Sequence, residues 1–188
     1  MLNINKSSKI ILVTGASASG KSEFAEVLAA KTDQTVIYLA TAKINVEDRE
    51  WSLKINKHQQ RRPSNWQSLE ISTELPIYIT EALSTQCLLI DSLGTWVANF
   101  IELDEREWGE KCDRLIDSLH HTKAEIIIVG EETGWGIVPI YPSARLFRDR
   151  LGNLSRRIAN IANITYLVAG GHVLNLSQLG EPLSNYEI

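Results

Sequence analysis

The chain is poor in cysteine, in excess positive charge and in long apolar runs. Its two cysteines, Cys87 and Cys112, form no metal-ligand pattern, which fits a cytosolic protein with reduced thiols. Lys and Arg total 19 against 23 Asp and Glu, a formal net charge of −4. That balance argues against a nucleic-acid partner held by bulk positive charge. No apolar run approaches the length of a membrane span. Residues Met1 to Lys9 are polar and lack the apolar centre of a signal peptide, so the cytoplasm is the expected location. There is no internal repeat and no low-complexity linker. An apolar fraction of 44% over 188 residues is ordinary for a soluble globule, and one domain spanning 1–188 is the expected count.

Against these absences stands Gly15-Ala16-Ser17-Ala18-Ser19-Gly20-Lys21-Ser22. It reads G-x-x-x-x-G-K-S, the phosphate-binding loop pattern. Lys9 to Thr14 before it is an apolar, β-branched run suited to a buried strand, and Phe24, Val27 and Leu28 after it repeat at helical spacing. Strand, glycine loop, helix is the context the motif requires. Gly15 and Gly20 are expected to take backbone conformations closed to other residues. The N–H groups of the loop then face an anion, aided by the helix N-terminus. Lys21 is placed to reach the β- and γ-phosphates of a nucleotide, and the Ser22 hydroxyl to ligate Mg²⁺.

The rest of the chain alternates strands and helices. Strands are expected at Thr35–Ala40, Trp66–Ile71, Cys87–Asp91, Glu125–Gly130, Ile164–Ala169 and His172–Leu176, the last two joined by a turn at Gly170-Gly171. Helices are expected at Glu47–Lys57, Leu75–Leu83, Leu93–Phe100, Glu105–His120 and Ser143–Ala162, the last capped by Ser143. A loose polar tail is expected from Ser177. The pattern predicts an α/β protein whose mainly parallel sheet is covered on both faces; it does not fix the strand order. Cys87-Leu88-Leu89-Ile90-Asp91 has the form of a Walker B strand, whose terminal acid helps hold Mg²⁺ or its water. Glu131 to Pro139 is a Gly-rich loop after a strand end and should lie near the nucleotide. The Ser143–Ala162 helix carries Arg145, Arg148, Arg150, Arg156 and Arg157, of which one or two are candidates to reach phosphate. His120 and His121 read as surface residues at a helix C-terminus, where a cation suits the dipole.

With these pieces placed, the chain resembles the bifunctional adenosylcobinamide kinase/adenosylcobinamide-phosphate guanylyltransferases of cobalamin biosynthesis. The matching residues are Ile11-Leu12-Val13-Thr14-Gly15 with Ser19-Gly20-Lys21-Ser22, Tyr38-Leu39-Ala40-Thr41, His58-Gln59-Gln60-Arg61-Arg62-Pro63 with Trp66, and Leu88-Leu89-Ile90-Asp91. The most telling are Glu132-Thr133-Gly134-Trp135-Gly136-Ile137-Val138-Pro139, then Arg145-Leu146-Phe147-Arg148-Asp149 and Gly152. The match runs from about Ile10 to about Ala169. The phosphate loop alone is generic; joined to His-x-x-x-Arg-Pro and Glu-x-Gly-x-Gly-Ile-Val-Pro it is specific.

The resemblance implies a P-loop NTPase (RecA-like) three-layer fold, a homotrimer, and two reactions. GTP or ATP phosphorylates the aminopropanol hydroxyl of adenosylcobinamide. GMP then passes from GTP to that phosphate through a histidine phosphoramidate, whose matching position is His58. A neutral imidazole is an available nucleophile near neutral pH, with a reference pKa of about 6.5. Lys21 and Mg²⁺, held through Ser22 and Asp91, would neutralise the leaving pyrophosphate, helped by Arg61 or Arg62. Glu70 matches a position associated with nucleotide binding, and a carboxylate suits the N1–H and N2–H₂ donors of guanine. Thr41, Ala42, Lys43, Gln59, Gln60, Arg61 and Arg62 also match nucleotide-contacting positions. The guanine motif Asn-Lys-x-Asp of G proteins is absent.

Some positions depart from the family pattern. Pro139-Ile140-Tyr141 stands where Pro-Glu-Asn is common, Ser155 where Asn is frequent, and Asp91 where Glu is frequent. The first change predicts a weaker kinase step. Read without the resemblance, the residues also suit a plain small-molecule kinase that leaves His58 idle, or a nucleotide-driven switch.

Overall fold

The computed structural model describes residues 9–43 and 62–185. The expected helix Glu47–Lys57, together with His58, Gln59, Gln60 and Arg61, lies outside the described residues.

The strands are β1 (Ile10–Gly15), β2 (Thr35–Ala40), β3 (Gln67–Glu70), β4 (Gln86–Asp91), β5 (Glu125–Glu131), β6 (Ile164–Ala169) and β7 (His172–Asn175). The helices are α1 (Lys21–Ala30), α2 (Leu75–Glu81), α3 (Leu93–Ala98), α4 (Glu105–His121), α5 (Pro142–Ile161) and α6 (Leu176–Leu179). The sheet runs β3-β2-β4-β5-β1-β6-β7, parallel throughout except for β7.

The alternation of side chains along each strand divides the core. Leu12, Leu39, Leu88, Ile90, Ile126 and Ile128 face one side, where Trp96, Leu115, Leu119, Leu151 and Leu154 of α3, α4 and α5 close over them. Their neighbours Ile11, Val13, Tyr38, Leu89, Ile127 and Val129 face the other side, against Ala25 and Ala29 of α1. Central strands buried on both faces need apolar residues at every position. That is why β1, β4 and β5 read as continuous runs rather than alternating ones.

β5 pairs with β1 on one side and β4 on the other. In consequence Gly15, Asp91 and Glu131, the last residues of three neighbouring parallel strands, meet at one end of the sheet. Ligands in open α/β sheets bind beyond such carboxyl ends.

Four local expectations change. Helix α5 starts at Pro142 with Tyr141 as its N-cap and no side-chain cap bond, so Ser143 does not cap it. Proline suits this position because its missing N–H would have no helical partner there. The last strand stops at Asn175, and the tail that was expected to be loose begins with the helical turn α6 and ends in a 3-10 turn, Leu183–Asn185. Ser177 is tied in, its Oγ accepting a hydrogen bond of 2.9 Å from Thr165 N. Arg150 does not reach for phosphate either. Its buried guanidinium donates to the carbonyls of Phe100, Ile101 and Leu103 and to the Glu105 carboxylate, closing the turn between α3 and α4. His120 and His121 are exposed at the end of α4, as expected.

Candidate active site

The phosphate loop turns on steric constraints that differ from residue to residue. Gly20 sits at φ +92°, where a side chain is strained. Gly15 does not have positive φ; its constraint is space. A Cβ there would lie 2.5 Å from Val168 O and 2.6 Å from Ser19 Oγ. The other left-handed residue of the loop is Ala18, at φ +57°. Lys21 opens α1, is 9% exposed, and donates from Nζ to Ala16 O at 3.2 Å. The ammonium is thus folded back over its own loop. The buried Ser19 Oγ has no hydrogen-bond partner among the described residues.

Beyond the strand ends lies a cleft of about 590 Å³. It is lined by residues 17–23, by Tyr38, Ala40 and Ala42, by Asp91 to Thr95 without Leu93, by Ala98, by Glu131 to Thr133, and by Phe147 of α5. Lys21, Ser22 and Asp91, drawn from distant parts of the sequence, share this space.

Asp91 accepts a 2.8 Å hydrogen bond from the Tyr38 hydroxyl. Burial first, and then the charge of Asp91, push the tyrosine pKa up, so the phenol stays protonated and keeps donating. On its other face the Tyr38 ring carries the Arg62 guanidinium, 3.4 Å from the ring centroid. Arg62 also donates to Ser68 Oγ at 3.3 Å. The Arg-Pro end of the His58–Pro63 motif is thereby seated on a residue of the cleft wall.

Glu131 ends β5. Its carboxylate accepts hydrogen bonds from Ser92 Oγ and, at 2.7 Å, from Gly94 N. Ser92 is also the N-cap of α3, in a capping box with Thr95. At position 94 a Cβ would come within 2.5 Å of Glu131 Oε2, so any side chain there would displace the carboxylate. Burial raises the Glu131 pKa; the Ser92 and Gly94 hydrogen bonds and the Lys21 charge act to lower it, and the Asp91 charge adds to the rise. The next residue, Glu132, accepts from Thr14 Oγ1 at 2.8 Å.

The other expected nucleotide contacts divide between the cleft and its surroundings. Thr41 is fully buried. Its hydroxyl donates to Ser92 O at 2.6 Å and accepts from Ser92 N at 2.9 Å, its N–H bonds Asp91 O, and its carbonyl accepts from Asn99. Every polar group of Thr41 is therefore spent inside the chain. Ala42 lines the cleft. Lys43 and Glu70 are exposed, Glu70 at the end of the edge strand β3 beside Ala40. Ser155 is buried on α5, its Oγ without a partner among the described residues. Ile140 and Tyr141 are 88% and 75% exposed in the loop that leaves the cleft. Both cysteines are free and buried, and burial pushes Cys87 up to about 12 and Cys112 up to about 11, so neither supplies a thiolate near neutral pH.

Sequence reading put the loop that begins at Glu131 near the nucleotide but gave Glu131 no role of its own, and it gave none to Tyr38, Ser92 or Gly94. For Glu131 a signal was present: Ile126-Ile127-Ile128-Val129-Gly130-Glu131 is, like the Walker B strand, an apolar run that ends in an acid. For Tyr38 and Gly94 there was none, since their roles exist only through their neighbours in space.

Over 91% of this chain the fold is similar to an ATPase from the type III secretion system of pathogenic bacteria, with a TM-score of 0.53, 11% identity and 53% of that chain covered. In sequence the chain is 38% identical to the bifunctional adenosylcobalamin biosynthesis protein CobP of Pseudomonas aeruginosa, over 92% of this chain and 98% of the relative. It is 33% identical to the bifunctional adenosylcobalamin biosynthesis protein CobU of Salmonella typhimurium, over 86% of this chain and 96% of the relative. Residues 11–176, which hold the phosphate loop, Asp91, Glu131 and the Gly-rich loop, match the family model for cobinamide kinase / cobinamide phosphate guanyltransferase, and the chain belongs to that family.

Proposed function

We propose that this one cleft carries out both reactions: phosphorylation of the aminopropanol hydroxyl of adenosylcobinamide by GTP or ATP, then transfer of GMP from GTP to the new phosphate. The observation behind the reading is that Ser19, Lys21, Ser22 and Asp91 line one cleft at the carboxyl ends of adjacent parallel strands. Lys21 moves from Ala16 O to the β- and γ-phosphates when they arrive, exchanging a neutral acceptor for a charged one. Ser19 Oγ offers a donor with no competing partner among the described residues. Oxygen donors such as the Ser22 hydroxyl and the Asp91 carboxylate suit Mg²⁺, which takes few protein ligands and completes its shell with phosphate and water. When bound there, Mg²⁺ would supply charge neutralisation at the leaving phosphates. Asp91 keeps Oδ1 for that purpose, with Oδ2 on Tyr38.

For the second reaction the proposed nucleophile is His58, attacking the α-phosphorus of GTP. The Arg62–Tyr38 stack seats the end of its motif beside the cleft. Glu70 is the proposed acceptor for guanine, with Ala42, Lys43, Gln59, Gln60 and Arg61 around the nucleotide. The proposed working form is a single-domain subunit in a cytoplasmic homotrimer.

The test is incubation with α-labelled GTP. Acid-labile, alkali-stable label should appear on the peptide that contains His58, and should be absent from His58→Asn. The same variant should still transfer phosphate from γ-labelled triphosphate to cobinamide, because there the attacking group belongs to the substrate. Label on another residue moves the nucleophile. No label on a protein that still makes the GDP product removes the covalent route.

A further inference from the structure

The two reactions differ in what they ask of the protein. Phosphorylating an alcohol releases a proton that the hydroxyl must lose as it attacks. Transferring GMP to a phosphate monoester releases none, because that acceptor is already largely ionised at neutral pH. One of the two steps therefore calls for a base; besides Glu23, in the first turn of α1, the cleft is lined by three carboxylates at or just past the strand ends: Asp91, Glu131 and Glu132.

Their surroundings sort them. Asp91 accepts from Tyr38 and sits in the Walker B position. Glu132 accepts from Thr14 Oγ1, and its N–H bonds Gly15 O, which ties it to the strand under the phosphate loop. Glu131 is clamped at both oxygens by the start of α3, Ser92 Oγ at Oε1 and Gly94 N at Oε2. Each oxygen keeps a second lone pair, so the clamp orients the group without consuming it. In register it lies opposite Gly15, the first residue of the phosphate loop.

We propose that Glu131 is the general base of the kinase step. The substrate oxygen forms a bond to the γ-phosphorus, the bond from that phosphorus to the β,γ-bridging oxygen breaks, and the nucleoside diphosphate leaves with the electron pair. The hydroxyl proton passes to a Glu131 oxygen and from there to solvent. Burial that raises the basicity of a carboxylate moves it toward the working range of such a group. Guanylyl transfer proceeds without it. Gly94 is the positioning residue, because the carboxylate occupies the space that a side chain there would fill.

The assignment rests on the kinase reading of the cleft, and the experiment separates the two. Phosphoryl transfer to cobinamide and GMP transfer to pre-phosphorylated cobinamide are measured on the same preparations of wild type, Glu131→Gln and Gly94→Ala. Glu131→Gln should lower kcat of the kinase step about 10²- to 10⁴-fold, the range for loss of a general base, with KM for the nucleotide within a few-fold. Its GMP transfer should stay within a few-fold of wild type, which also shows that the fold is intact. Gly94→Ala, whose added methyl meets the carboxylate end of Glu131 rather than backbone, should reproduce the same split in milder form. An equal fall in both steps overturns the proposal and makes Glu131 a nucleotide or metal contact. An undiminished kinase rate in Glu131→Gln also overturns it. A wild-type protein that transfers GMP but no phosphate overturns the kinase reading, and this assignment with it.

Discussion

Strands β4 and β5 lie side by side, run parallel, are apolar along their lengths, and each end in a carboxylate that lines the same cleft. Yet the two acids live differently. Asp91 faces a phenol on which Arg62 is stacked. Glu131 is held at both oxygens by the start of a helix. Equivalent strand endings thus yield a carboxylate backed by a tyrosine and one clamped by a helix start. The difference arises in the segments that the strands lead into. After Asp91 the chain enters α3 at once, and Ser92 of that entry clamps the acid of the neighbouring strand instead of its own. Each acid is positioned by elements that its own stretch of sequence does not contain.

If that contrast is functional, substitutions should divide into those that strike both reactions and those that strike one. Among substitutions that strike both reactions, the largest effect is expected for Lys21→Ala. Its ammonium serves the phosphates in both steps, so both rates should fall by about 10²- to 10³-fold, the range for loss of one preorganised charge-stabilising donor. Near wild-type turnover in either step would mean that the phosphate loop is not the shared element. Asp91→Asn comes next, with both steps reduced roughly 10- to 100-fold, as for groups that act on a metal through its surroundings. Raising the Mg²⁺ concentration should recover part of the loss. A fall confined to the kinase step would erase the distinction from Glu131. Tyr38→Phe is the mildest. It keeps the ring under Arg62 and removes only the hydrogen bond to Asp91, a loss of about 0.5–1.5 kcal/mol, so both steps should slow by a few-fold. Tyr38→Leu, which also removes the platform for Arg62, should cost GMP transfer more than phosphorylation. Steady-state assays of the two half reactions on the pair of variants give the comparison directly.

How far the site was legible depended on whether its chemistry lies within one stretch. Gly15 to Ser22 was legible because loop, ammonium and hydroxyl are contiguous, and the flanking apolar run and helical spacing supplied the context. Asp91 was legible because an apolar strand ending in acid gains meaning once a phosphate loop is known. Glu131 ends an equally apolar strand and opens a loop expected near the nucleotide, but it was given no role of its own, since the clamp that distinguishes it comes from Ser92 and Gly94, remote in the chain. Thr41 matches a nucleotide-contacting position, but its hydroxyl, N–H and carbonyl are all bonded within the chain. Arg150 looked like its neighbours on α5, yet it alone among the five arginines of that helix is fully enclosed, by the carbonyls that end α3. A helical wheel marks which face an arginine occupies, not whether unpaired carbonyls lie opposite.

By itself, the sequence determined the α/β class, nearly every strand and helix among the described residues, the phosphate loop and the family. Those features rest on short-range causes: side-chain period, glycine stereochemistry and motif spacing. The tertiary structure alone decided that β5 lies between β1 and β4. That order brings Gly15, Asp91 and Glu131 to one cleft, seats Arg62 on Tyr38, and sets Gly94 against a carboxylate 37 residues away. The physical reason is that strand order and side-chain clamps are settled by packing between segments remote in the chain, and no local pattern carries that information.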